Sequence, residues 1–144
     1  MRFMLIVKAT GNSEAGVKQS QEHNDAMNTY KKSLARAGVL LATEELQPSS
    51  RAIRILYRLH GGEPEVKAGP FKVGQELIAG YTLIDVKSED EAVDWALQMP
   101  VPKGFGAFEI EMRKLEDETD SIRDPRTLAM EADLKEQINM LKKI

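Results

Sequence analysis

His23 heads the side chains able to do chemistry. It lies four residues before Met27 on a stripe of helical spacing, where an imidazole can accept a proton near neutral pH. The competing use is a half-buried histidine hydrogen-bonded to backbone at the rim of a core. Glu44 and Glu45 are neighbours in a strand-like run, so their side chains point to opposite faces and cannot form a carboxylate pair. One of them must face inward or into a cleft, unless Arg51 or Arg54 takes it as an ion pair. Lys67, Pro70 and Phe71 share a short stiff segment. There Lys67 could hold an anionic substrate, while Phe71 offers either an aromatic wall or a plug for the core. Tyr30 and Tyr81 add hydroxyl donors that a core could equally well satisfy. His60 stands in a Gly-rich turn far from His23, and no facial set of carboxylates accompanies either. The glycine pairs match no phosphate loop or dinucleotide fingerprint. Neither a metal nor a cofactor is expected.

These residues need elements to hold them. The spacing predicts a strand over Arg2 to Ala9, apolar on both faces, then a loop at Thr10 to Ser13. A helix is predicted from Ser20 to Ala37, with Met27, Tyr30 and Leu34 inward and Gly38 at its left-handed stop. Two strands follow, Val39 to Leu46 and Ala52 to Leu59. In the second, Ile53, Ile55, Tyr57 and Leu59 should form a buried face. Glu65 to Ala68 reads as a short return strand, and Glu76 to Val86 as a longer one with Gly80 at a bulge or close approach. Ser88 and Glu91 form a capping box for a helix to about Gln98, with Ala92, Trp95, Ala96 and Met99 inward. Phe105 to Leu115 closes the core. After a polar stretch, Asp124-Pro125 caps a tail helix with a narrow stripe of Met130, Leu134, Ile138 and Leu141. So thin a stripe should dock on something.

The 144 residues carry 20 basic and 23 acidic side chains, a formal net charge of −3. That length suits one domain. The charge balance argues against direct nucleic-acid binding, which asks for a basic face. The absence of cysteine excludes a disulfide framework, a thiolate zinc site, an iron–sulfur cluster and a cysteine nucleophile. No apolar run approaches the ~20 residues of a membrane span, and Met1 to Lys8 reads as a strand rather than a signal peptide. A cytoplasmic location is expected. The order of elements, with its β-α-β-β-α-β core, predicts an α+β, ferredoxin-like antiparallel sheet with both helices on one face. The apolar second face of the first strand predicts that a second subunit's sheet covers it.

Several segments resemble YCII-related proteins of the DGPF subgroup. Gly38-Val39-Leu40-Leu41, Glu44 and Leu46-Gln47-Pro48 are similar to the first signature of that group. Lys67-Ala68-Gly69-Pro70-Phe71 with Glu76 to Tyr81 is similar to the second. Glu89 to Met99 and Phe108 to Arg113 resemble its closing helix and strand. The resemblance covers residues 1–115 and leaves 116–144 as a polar linker and an added amphipathic helix. It implies a homodimer built as a dimeric α+β barrel, relatives that include small-molecule isomerases and dehydrochlorinases, and for some members an association with sigma factors. By shared position it favours Glu44 as the ligand-facing acid. There are departures. The aspartate of the DGPF motif is Ala68 here. The aspartate that YCII enzymes are thought to pair with a first-helix histidine would fall near Met99-Pro100. His23 itself lies about one turn N-terminal to where spacing from Gly38 would put that histidine.

The resulting expectation is a cleft between the first helix and the sheet that takes a small organic molecule without a cofactor. His23 would move a proton in lyase- or isomerase-type chemistry. Glu44, Lys67, Phe71, Tyr81 and Tyr30 would contact the substrate. The alternative is a non-enzymatic accessory protein whose tail helix binds a sigma-factor-type partner.

Overall fold

The two-sided alternation of the first strand sets the architecture, because each of its faces must meet a different layer. A computed structural model describes residues 1–72, 76–104, 106–117 and 125–142. In chain order the elements are β1 (Arg2–Lys8), α1 (Gly11–Glu14), α2 (Gln21–Arg36), β2 (Leu40–Glu45), β3 (Ile53–Leu56), β4 (Glu65–Ala68), β5 (Ile78–Asp85), α3 (Glu89–Gln98), β6 (Ile110–Lys114) and α4 (Pro125–Lys142). Four strands form one sheet in the order β2-β5-β1-β6, each neighbour antiparallel. The unit β1-α2-β2 leaves a gap that β5 fills, and β5-α3-β6 leaves one that β1 fills. This interleaving of two split β-α-β units is the ferredoxin-like fold.

The core lies between the sheet and its two helices. Phe3, Leu5 and Ile84 rise from the sheet to meet Tyr30 and Leu34 of α2, with Ala92 and Met99 from α3 and its end. Each such large side chain contributes roughly 1.5–3 kcal/mol on burial. The helix ends follow the local chemistry. Ser20 Oγ accepts from the His23 amide at 3.1 Å to start α2, and Gly38, at φ 73°, ends it. Ser88 Oγ accepts from Glu91 N at 3.1 Å. The Glu91 carboxylate accepts from Lys87 N at 3.0 Å, one residue outside the cap rather than on the cap's own amide.

Three local expectations are corrected. Thr10 to Ser13 is not an open loop. Ser13 N donates to Thr10 Oγ1 at 3.1 Å and Thr10 N to Ser13 Oγ at 2.8 Å, and this reciprocal cap winds one helical turn. The second expected strand of the middle region stops at Leu56 rather than Leu59, and its apolar face is not buried. Ile53 is 67% exposed, Ile55 56%, Tyr57 79% and Leu59 94%. Alternation reports which side chains share a face, not whether anything covers it. Among the described residues β3 and β4 pair only with each other, as a separate two-stranded ribbon. Gly80 proves to be a close approach, since a Cβ there would lie 2.8 Å from the Glu44 carbonyl oxygen. A register irregularity also falls beside it, between Val7 and Lys8. The expected last strand begins at Ile110, residues 106–109 being irregular, while Phe105 itself and the expected cap at Asp124 lie outside the described residues.

The segment Gly69-Pro70-Phe71 fastens the ribbon to the domain. Ser49, 5% exposed, donates its hydroxyl to the Glu14 carboxylate, which also accepts from Ser49 N at 3.1 Å. Phe71 N donates to Ser49 Oγ at 2.9 Å, and Gly69 N to Ala52 O at 2.9 Å. Arg54 lies 4.0 Å over the Phe71 ring, a cation–π contact.

Tyr30 carries a testable pH dependence. Burial pushes its phenol up to about 12, and its hydroxyl donates to the Trp95 carbonyl at 2.6 Å. An unfolded tyrosine titrates near pH ~10, so the folded state favours the neutral phenol. The contribution of Tyr30 is fully present below pH ~10 and is lost as pH rises toward about 12. Urea midpoints followed across that alkaline window should fall more steeply for the wild type than for Tyr30→Phe. Parallel curves would remove Tyr30 as the cause.

Candidate functional site

A cleft of about 580 Å³ opens between the N-terminal part of α2 and the β2 side of the sheet. Its size falls within the range of ligand pockets. His23, Met27 and Lys31 are spaced i, i+4 and i+8, so they form one line along its helical wall. Val7, Thr43, Gly80 and Thr82 lie on the sheet side, where Thr43 Oγ1 and Thr82 Oγ1 are 3.0 Å apart in a hydrogen bond. Met99, Pro100 and Pro102, which follow α3, border it as well. The absence of a Cβ at Gly80 lets the β2 backbone close on β5 and brings the end of β2 to the cleft.

The charges in the cleft are mixed. Lys18 and Lys31 bring two cations and Glu45 a carboxylate, while Glu44 borders the cleft from the other face of β2. Lys31 is half-buried and has no ion pair among the described residues. His23 is half-buried at the third position of α2, beside the first-turn backbone amides. Such an arrangement can hold a small polar molecule with an acidic or carbonyl group against the lysine and the histidine. No group of three or more metal-ligating side chains occurs among the described residues.

Of the residues singled out from the sequence, His23, Glu44 and Tyr81 border the cleft. The structure does not bring the other three to it. Tyr30 is 5% exposed in the core, its hydroxyl held by Trp95. Lys67 lies on the ribbon, 3.8 Å from Glu65, and Phe71 lies under Arg54. Sequence reasoning weighed Glu45 but favoured Glu44, and it missed Lys31 and the threonine pair. The register pairs Glu44 with Tyr81 and Glu45 with Gly80, while Thr43 pairs with the buried Thr82. Glu45 therefore shares the helix-bearing face with Thr43, and Glu44 shares the opposite face with Tyr81. Counting by eights from His23 along the helix would have found Lys31. Nothing in the sequence distinguishes Glu45 from Glu44 without the register.

The opposite face of the sheet carries Met4, Ile6, Tyr81 and Leu83, all partly buried, beside a small charge network. Glu111 lies 3.5 Å from Lys8 and 2.7 Å from Arg113. Desolvation pushes its carboxyl up, but Arg113 and Lys8 together carry it below the usual range.

Interleaved split β-α-β units with a ligand-sized cleft against the first long helix define an α+β protein of ferredoxin-like topology. The chain belongs to the YCII-related domain family, whose model matches residues 1–113. No curated protein matches it. The matched span takes in the cleft, the ribbon and the four-stranded sheet except Lys114 at the end of β6, and leaves α4 outside.

Proposed function

We propose that this protein binds a small organic molecule in the cleft and that His23 acts there as the proton acceptor of a lyase- or isomerase-type reaction. The observation that carries the reading is the placing of a half-buried histidine and a half-buried lysine, without an ion pair among the described residues, on one helical line in a cleft of about 580 Å³. Lys31 would fix an acidic or carbonyl oxygen. His23 would take a proton from the adjacent carbon and return it elsewhere on the substrate, or a leaving group would depart from the neighbouring carbon. A positioned base of this kind contributes about 10²–10⁴-fold.

The finer assignment is to the DGPF subgroup. Its motif aspartate corresponds to Ala68, which lies on the ribbon opposite Ile53 and does not border the cleft. Its loss therefore leaves the cleft as described. The place of the family's dyad aspartate is taken by Met99 and Pro100, which do border the cleft and bring no carboxylate. Glu45 supplies one from the opposite side. Its position next to Gly80 makes it the acid we assign to orient the imidazole. A homodimer joined through the Met4, Ile6 and Leu83 face would cover that apolar surface, and it is part of this proposal.

The test is a thermal-shift panel of small organic acids, lactones and hydroxylated aromatics, with His23→Ala and Lys31→Ala beside the wild type. A ligand at 100 times its dissociation constant adds about 2.7 kcal/mol, a shift of several degrees for a chain of this size. A shift lost in both variants supports the cleft. A ligand that shifts all three proteins equally binds elsewhere and ends the proposal.

A further inference from the structure

Thr43 and Thr82 place hydroxyls on a face of the sheet that is otherwise core. Thr82 is 3% exposed and shares that face with Ile84 and with Leu5, which lies opposite it on β1. Thr43 lies opposite Thr82 on the other side, and the two hydroxyl oxygens are 3.0 Å apart. Ser49, the other buried hydroxyl among the described residues, is fully engaged, donating to Glu14 and accepting from Phe71 N. The threonine pair is not. Two hydroxyls carry two protons, and the bond between them uses one. The second proton has no protein acceptor among the described residues. A donor left over in so buried a place costs stability unless an oxygen from outside the chain takes it.

Both threonines border the cleft. Either one can be the donor within the pair, so the pair can give its spare proton to a carbonyl oxygen or exchange hydrogen bonds with a hydroxyl. Lys31 is the second fixed point. It is half-buried on the α2 wall of the same cleft, and its side chain makes no hydrogen bond or ion pair among the described residues. An ammonium so placed suits a carboxylate. Val7 and Met27 also border the cleft and suit the short carbon chain that would join the two groups.

We propose that the ligand of this cleft is a short organic acid carrying a second oxygen, as a hydroxy or oxo group, and that the Thr43–Thr82 pair selects for that oxygen while Lys31 holds the carboxylate. This inference rests on the cleft reading given under the proposed function and adds the substrate class to it. The selectivity is modest for a physical reason. When an acid without the second oxygen binds, the two hydroxyls still satisfy each other and a single proton goes unmet, which corresponds to about tenfold in affinity. A site whose every polar group depended on the ligand would discriminate far more strongly.

Backbone amide spectra of the full chain, titrated with matched acids, provide the test. The pairs are lactate with propanoate, β-hydroxybutyrate with butyrate, and levulinate with valerate, which set the second oxygen at successive carbons. In at least one pair the oxygenated acid should bind about tenfold more tightly, with shifts in the amides of β2 and β5. Thr43→Val/Thr82→Val keeps the shape and leaves no hydroxyl unpaired, so it should fold and lose the preference. Thr43→Ser/Thr82→Ser keeps both hydroxyls and should keep the preference. Circular dichroism verifies folding, and Thr43→Val alone takes the place of the double variant if that one does not fold. Lys31→Ala should weaken both acids of a pair alike. Equal affinities within every pair, a preference that survives loss of the hydroxyls, wild-type affinity in Lys31→Ala, or no binding of any of these acids overturns the inference. The cleft reading fails separately. Equal binding within a pair that Lys31→Ala abolishes leaves it standing, and if no acid binds, the lactones and aromatics of its own panel decide it.

Discussion

Gly69→Ala is expected to destabilise this protein by about 3–5 kcal/mol, enough to lower the melting temperature by roughly 10 °C or more. The reason is local and steric. A Cβ on Gly69 would overlap the carbonyl oxygen of Ser49 and sit 2.7 Å from its carbonyl carbon. Both are backbone atoms, so no rotamer change relieves the clash. Moving residues 69 to 71 outward breaks the Phe71 N to Ser49 Oγ bond of 2.9 Å and the Gly69 N to Ala52 O bond of 2.9 Å. Overpacking alone costs about 1–3 kcal/mol, and each lost hydrogen bond adds about 1. The damage also reaches Glu14, because Ser49 is the shared partner of Glu14 and Phe71. Gly11→Ala is the control. Gly11 has no atom near its missing Cβ and no left-handed backbone, so it should change stability by less than about 0.5 kcal/mol. Thermal melts and amide exchange on β3 and β4 read the result. A Gly69→Ala protein with wild-type melting and undiminished ribbon protection would show that the fastener carries no stability.

His23→Ala is expected to lower turnover of a cleft substrate about 10²–10⁴-fold with melting temperature nearly unchanged. The stability side follows from placement, since the part of His23 that caps the helix is its backbone amide, donating to Ser20 Oγ at 3.1 Å. Alanine retains that amide. The imidazole is only half-buried, so its removal opens no core cavity. Glu45→Gln should lower turnover less while leaving substrate affinity nearly intact, because in the proposed scheme it acts through the imidazole. Glu44→Gln, on the other face of β2, should have little effect. Once a turnover substrate is in hand, steady-state kinetics of the three variants decides the matter. Equal losses for Glu44→Gln and Glu45→Gln would contradict the register argument, and wild-type turnover in His23→Ala would remove the proton-transfer scheme.

Much of the fold was legible in the chain itself. The stripe of Met27, Tyr30 and Leu34, the glycine at position 38, the serine at position 88 and the inward run of Ala92 and Met99 are local signals, and each appears where its spacing puts it. The βαββαβ order then leaves few ways to interleave the strands, so the four-stranded topology follows from the same signals. The cleft was legible in part. His23 could be placed on a helix face because helical period is a property of the sequence.

What the sequence by itself determined, then, is which residues share a face: Phe3 with Leu5, His23 with Met27, Ile53 with Ile55. Tertiary structure alone decided what each face meets. The apolar faces at Phe3 and Ile53 read alike, yet Phe3 is 2% exposed and Ile53 67%. Lys67 and Phe71 read as pocket residues but fall on the ribbon, while Glu45 reaches the cleft because its strand pairs with Gly80 in one register and no other. Periodicity is a short-range property of the backbone, whereas covering a face needs chain from far along the sequence to arrive there. That arrival depends on loop paths and strand register, which are set by packing across the whole domain.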